Sequence, residues 1–149
     1  MNKILRDVRI KAPIDKVFNF LADPRNLPEI WPNIVEVNNI KKSKGDGTYT
    51  FDWTYKMSGT RFEAKAETVE YVQNQRLVIA STKGFDCTLS WKFQPEMNET
   101  RLLLQFEYKT PAALLKKLKE QTILQENEHD LDAVLENVRS RAELELAYA

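Results

Sequence analysis

The sequence predicts an α+β domain in which a meandering antiparallel sheet of about seven strands is covered by a long C-terminal helix. Two runs carry the sheet. Residues 49–57 alternate without a break, with Tyr49, Phe51, Trp53, Tyr55 and Met57 on one face and Thr50, Asp52, Thr54 and Lys56 on the other. Residues 85–93 do the same, with Phe85, Cys87, Leu89, Trp91 and Phe93 set against Asp86, Thr88, Ser90 and Lys92. Side chains on a strand point to opposite faces with period two, so each run is a strand with one buried face. The third observation lies at the end of the chain. Between Pro111 and Tyr148 there is no Gly and no further Pro, and Leu124, Leu131, Leu135, Val138, Ala142 and Leu146 recur at helical spacing.

The elements follow in order. Ile4 to Ala12 reads as a first strand with Val8 and Ile10 facing in. Pro13 opens a helix at the position proline favours, and Ile14, Val17, Phe18 and Leu21 form its apolar stripe. Asp23-Pro24 ends that helix and caps a second short one through Ile30, which Trp31-Pro32 breaks. Strands follow over 35–42, 48–57, 60–72, 76–82, 85–95 and 100–108, joined by short turns at Gly45-Asp46-Gly47, Ser58-Gly59, Gln73-Asn74-Gln75, Lys83-Gly84 and Asn98-Glu99. Strands joined so briefly pair antiparallel. In 60–72 the alternation of Phe62, Ala64 and Ala66 slips, so that Val69 and Tyr71 become the apolar positions; one extra residue there makes a bulge. Leu114, Leu115 and Leu118 mark a first helical piece before the long one, and the pattern fits a join or a kink near Gln121 equally well.

The 149 residues fit one domain, 1–149, with a sizeable core. Lys plus Arg equals Asp plus Glu, 22 against 22, so no net basic field recruits nucleic acid or an anionic membrane. No apolar run approaches a membrane span, and the N-terminus lacks a signal-peptide stretch. A single cysteine excludes an internal disulfide and fits a reducing compartment, so the expected location is cytoplasmic.

Ala12-Pro13 to Val17-Phe18, Leu21-Ala22-Asp23-Pro24, Leu27-Pro28-Glu29-Ile30-Trp31-Pro32, Gly59, Glu70-Tyr71 with Arg76-Leu77, Thr100-Arg101-Leu102 and Tyr108 with Pro111 stand in a telling order. In these motifs the chain resembles the SRPBCC superfamily, the START-like or birch-pollen-allergen-like helix-grip fold, and within it the polyketide cyclase/dehydrase subgroup. The resemblance implies a curved sheet gripping the C-terminal helix around a deep hydrophobic cavity. It leaves function broad, since relatives bind lipids, sterols or quinones, cyclise polyketides, or serve as hydroxylase subunits.

On that reading the candidates for lining the cavity are Trp31, Phe51, Trp53, Tyr55, Phe62, Ala64, Ala66, Cys87, Leu89, Trp91, Leu104, Phe106, Glu128, Leu131 and Leu135. By residue pattern alone the aromatic wall serves a packed core or a pocket equally. Ala64 and Ala66 leave room opposite bulky neighbours, and Trp31 falls near the mouth in the resembled fold. Glu128 lies beside Leu124 and Leu131 by helical angle, where a carboxylate faces either the cavity or water, with Arg6 a possible counter-charge. Catalysis has little to build on. His129, the only histidine, is placed on the polar face, so no Ser-His or Cys-His pair forms. One His and one Cys are too few for a nitrogen and sulfur metal site, and no phosphate-binding glycine loop is present. No cofactor is expected.

Leu114 to Lys119 reads as an amphipathic turn docked on the domain or as a short membrane-surface helix. The expected function is binding of an apolar small molecule such as a lipid, polyketide or quinone. The alternatives are a cyclase or dehydratase in the same cavity, using Glu128 or Tyr55, and a protein-interaction module.

Overall fold

The computed structural model describes residues 1–43 and 45–147, with side chains through 144. Its sheet has seven antiparallel strands: β1 (Asn2–Ile10), β2 (Ile34–Lys42), β3 (Tyr49–Met57), β4 (Thr60–Val72), β5 (Arg76–Gly84), β6 (Cys87–Glu96) and β7 (Glu99–Tyr108). The spatial order is β1-β7-β6-β5-β4-β3-β2, so five hairpins run in sequence and β1 returns to pair with β7, Ile4 opposite Phe106. Helix α1 (Ile14–Ala22), a 3-10 turn (Pro24–Asn26) and α2 (Leu27–Ile30) link β1 to β2. Helix α3 (Ala112–Leu115) and the long α4 (Glu120–Ala147) close the chain. This is the α+β helix-grip architecture expected from the sequence.

Local chemistry sets the boundaries. The Asp23 carboxylate accepts from the Arg25 N–H at 3.0 Å and so caps the 3-10 turn, with Pro24 at its first position. The two C-terminal helical pieces do not join: Lys116 caps α3, and α4 restarts at Glu120 with Ile123 N–H donating to the Lys119 carbonyl. The expected helix end at Tyr148 and the side chain of Leu146 lie outside the described residues.

The bulge in β4 is present, between Thr68 and Glu70, but its consequence differs from the one expected. Val69 is itself the extra residue and points outward, 55% exposed, while Thr68 stays buried and accepts from the Tyr49 N–H at 3.2 Å. Tyr71 resumes the inward phase and packs edge-on against Phe18 at 5.2 Å. A second register shift separates Lys65 from Ala66, where β4 meets Gly84. A Cβ on Gly84 would sit 2.3 Å from the Glu63 carbonyl oxygen, and its φ of +87° is one L side chains avoid. These two irregularities increase the bend that turns β3 and β4 over the interior.

The inward stripe of α4 is Ile123, Asn127, Leu131, Val134, Leu135 and Val138, all buried. The expected stripe began at Leu124, which is only partly buried. Leu131 is shared, and stepping back four residues at a time from it gives Asn127 and Ile123. One polar residue inside the stripe concealed its true phase.

Candidate functional site

Trp31 stands at the centre of the concave side. It is the residue that ends α2, its N–H donating to the Leu27 carbonyl at 2.9 Å, and it is fully buried. Its ring meets Phe106 at 5.4 Å, Trp91 at 6.2 Å and Tyr55 at 6.3 Å between centroids, all steeply inclined, the favoured geometry for aromatic pairs. Its indole Nε1–H donates to the Tyr55 hydroxyl at 3.2 Å. Tyr55 stacks on Phe106, which stacks on Tyr108, and tilts against Phe85. Strands β3, β6 and β7 thus supply one continuous aromatic surface, and the α2 terminus inserts an indole into it.

Four polar atoms on this side are buried without a hydrogen-bond partner among the described residues: Trp53 Nε1, Trp91 Nε1, Tyr108 Oη and Asn127 Nδ2. They come from β3, β6, β7 and α4, one from each. Buried polar groups are nearly always paired, because an unpaired one forfeits its hydration. Asn127 lies near enough to Tyr108 to favour its ionised form, yet neither atom completes a hydrogen bond. Burial nevertheless raises the Tyr108 phenol above its ordinary value, as it does, much further, the Tyr55 phenol and the Cys87 thiol.

Of the residues expected to line a cavity, Trp31, Phe51, Trp53, Tyr55, Ala64, Ala66, Cys87, Leu89, Trp91, Leu104, Phe106, Leu131 and Leu135 are buried on the concave side. Phe62 is partly buried and tilts against Phe85 at 6.1 Å. Glu128 is set apart from these. It stands on the flank of α4, its side chain 38% exposed, with an oxygen 2.9 Å from Arg6 Nη2. Arg6 also donates to Asp132 at 2.8 Å, so α4 is clamped to edge strand β1 by exposed charge. Two polar side chains that face the interior, Asn127 and Tyr108, were not among the candidates. The signal for Asn127 was its place four residues before Leu131, and for Tyr108 its parity with Leu102, Leu104 and Phe106.

Three hollows of the described residues open at the surface. Two lie on the outer face of β2–β5, about 440 and 500 Å³, with outward-facing Asp52 and Lys65 in both, Trp53 and Ala64 bordering the first, and Phe51 and Ala66 the second. The third, about 280 Å³, lies between α4 and the β3–β4 turn and is lined by Asn33, Lys56, Ser58, Gly59, Glu126, His129 and Asp130. Asn33 Nδ2 there bridges the Lys56 carbonyl at 3.0 Å and Asp130 Oδ2 at 3.1 Å. Partial burial raises the Asp130 carboxyl above its ordinary value, against the opposing effect of the Asn33 hydrogen bond. Among the described residues no group of three His, Cys, Asp or Glu side chains is placed to hold a metal, and no helix is long and apolar enough to cross a membrane.

A family described as "Polyketide cyclase / dehydrase and lipid transport" matches residues 1–143. No curated protein matches by sequence. Among solved structures, a Thermus thermophilus protein is 25% identical, with a TM-score of 0.64 over 95% of this chain and 99% of its own. The Zhui aromatase/cyclase of a Streptomyces species is 18% identical, with a TM-score of 0.75 over 95% and 93%. A START superfamily protein from Mycobacterium smegmatis is 15% identical, with a TM-score of 0.70 over 95% and 97%. The latter two likenesses concern the fold.

Proposed function

The chain belongs to the polyketide cyclase/dehydrase and lipid transport family, and from that premise we infer that its concave side binds an apolar, ring-bearing small molecule carrying acceptor oxygens. The observation that carries this reading is the set of four buried polar atoms without a partner among the described residues, in a largely apolar interior rich in aromatic rings. Indole nitrogens and the Asn nitrogen can only donate, and the tyrosine hydroxyl can donate as well. A ligand that satisfies them presents carbonyl or ether oxygens at its edges and flat hydrocarbon to the Tyr55, Trp91 and Phe106 faces. Burial of rings supplies affinity without direction, and the four donors set orientation. The fully buried thiol of Cys87 suits a cytoplasmic setting.

The test is a matched pair of probes followed by tryptophan emission. Flavone carries two acceptor oxygens, and 2-phenylnaphthalene carries none on a similar frame. Flavone is expected to bind saturably near micromolar levels, about −8 kcal/mol. The hydrocarbon is expected to bind at least about tenfold more weakly, one or two hydrogen bonds' worth. Equal affinity for the two removes the donor argument, and no saturable binding of either removes the reading.

A further inference from the structure

Trp31 does more than line this interior: we propose that its indole is a built-in occupant, and that a ligand enters through the hollow beside Asn33 by displacing it. This rests on the binding reading above and names the access route and the shape of the first ring admitted.

The indole makes the contacts a ligand ring would make. It lies between Phe106, Trp91 and Tyr55, and its Nε1–H satisfies the Tyr55 hydroxyl. It reaches that place from a connecting segment and not from the sheet or α4. Leu27 and Ile30 stay buried as the anchor of α2, whereas Pro32 directly after Trp31 is exposed and Asn33 half-buried. The movable unit is therefore Trp31-Pro32-Asn33.

Its outer end is held by polar ties of the kind water can replace. Asn33 Nδ2 donates to Lys56 O and to Asp130 Oδ2, and the Asn33 carbonyl accepts from the Lys56 N–H at 2.7 Å. The hollow of about 280 Å³ adjoins these ties, with Asn33 and Asp130 in its wall. Lys56, the residue after Tyr55 in β3, is also in that wall, so the hollow borders the strand segment that carries the inner aromatic surface. Trp31 is the side chain in contact with Tyr55 whose backbone adjoins Asn33. The slot it fills fits a planar fused-ring group with a hydrogen-bonding atom directed at the Tyr55 hydroxyl.

A gated site obeys a simple relation: apparent affinity is the intrinsic affinity scaled by the open fraction. Loosening the latch raises the association rate and the affinity by one common factor and leaves dissociation unchanged. Stopped-flow flavone binding to Asn33→Ala is therefore expected to show association about two- to tenfold faster, the effect of one hydrogen bond, with an equal gain in affinity. Trp31→Ala is expected to bind flavone more tightly than the wild type and to be stabilised in thermal melts by added indole, which leaves the wild type unmoved. If Trp31→Ala does not fold, the Asn33→Ala kinetics decide alone. Wild-type binding with an unchanged or slower association in Asn33→Ala overturns the gate and leaves the binding reading standing. Indole stabilising the wild type as much as Trp31→Ala also overturns it. Absence of flavone binding to every form removes both.

Discussion

Asn127→Leu separates a binding interior from a merely packed one. Asn127 is 1% exposed on the inward stripe of α4, between Ile123 and Leu131, with its amide nitrogen unpartnered. Leucine has the same branched outline, with two methyls in place of the amide oxygen and nitrogen, so the substitution removes the amide without opening a void, as alanine would. An unpaired buried amide costs about 1–3 kcal/mol by protein mutational measures. Leucine also favours a helix over asparagine by roughly 0.5 kcal/mol, with the same sign. The ligand-free variant is therefore expected to be more stable by about 1–3 kcal/mol. For a chain of this length each kilocalorie moves the melting temperature by about 2–4 °C. The gain is read by circular dichroism in thermal and urea melts. Flavone affinity is expected to fall about two- to tenfold, because the donor that orients it is gone. A variant less stable than the wild type, with flavone affinity unchanged, refutes the reasoning: Asn127 would then be satisfied in solution and uninvolved in recognition.

Two further predictions concern the flanks of α4. The Asp130 carboxyl is raised by burial, so the folded protein holds that proton more tightly than the unfolded chain does. Its contribution is full below the unfolded-state value of about 3.9 and is lost as pH rises through the folded-state value. Asp130→Asn removes the ionisation, so its stability relative to the wild type is expected to improve from acid towards neutral pH; a difference constant over that range in pH-dependent melts contradicts the assignment. Glu128→Gln breaks the pair with Arg6, whose side chains are 31% and 38% exposed, and is expected to cost no more than about 1 kcal/mol while leaving flavone titrations unchanged. A large loss of affinity would place that carboxyl inside.

The sheet was legible because period two survives almost everywhere. The runs 49–57 and 85–93 and the inward set Leu102, Leu104, Phe106 and Tyr108 each show which face is buried. Where the pattern failed, a local geometric event was responsible. At Val69 the sequence signals an extra residue but not which of two neighbours is extruded, since that depends on the partner strand β5 across the bulge. On α4, a hydrophobic count passes over Asn127 and is drawn to Leu124, one position past the buried Ile123, which also promotes Glu128 at the expense of Asn127 beside it. Trp31 was legible as a helix breaker ahead of Pro32. Its insertion between three distant strands depends on tertiary contacts spanning residues 55, 91 and 106, which no local period encodes.

The same burial that makes the interior suitable for rings governs what it can do to them. Desolvation pushes the Tyr55 phenol and the Cys87 thiol far up, so at neutral pH each holds its proton, and neither acts as an anion. Tyr55 is engaged as an acceptor by Trp31, and displacing the indole frees that oxygen for a ligand without changing its protonation. Asn127 and the indoles of Trp53 and Trp91 do not titrate in this range. The carboxyls of the neighbourhood stand outside the aromatic surface: Glu128 with Arg6 on the β1 flank, and Asp130 under Asn33 at the hollow. A catalytic base must reach the proton it removes within hydrogen-bond distance. On the proposed reading the described inner surface offers a ligand neutral donors and ring faces that orient a carbonyl.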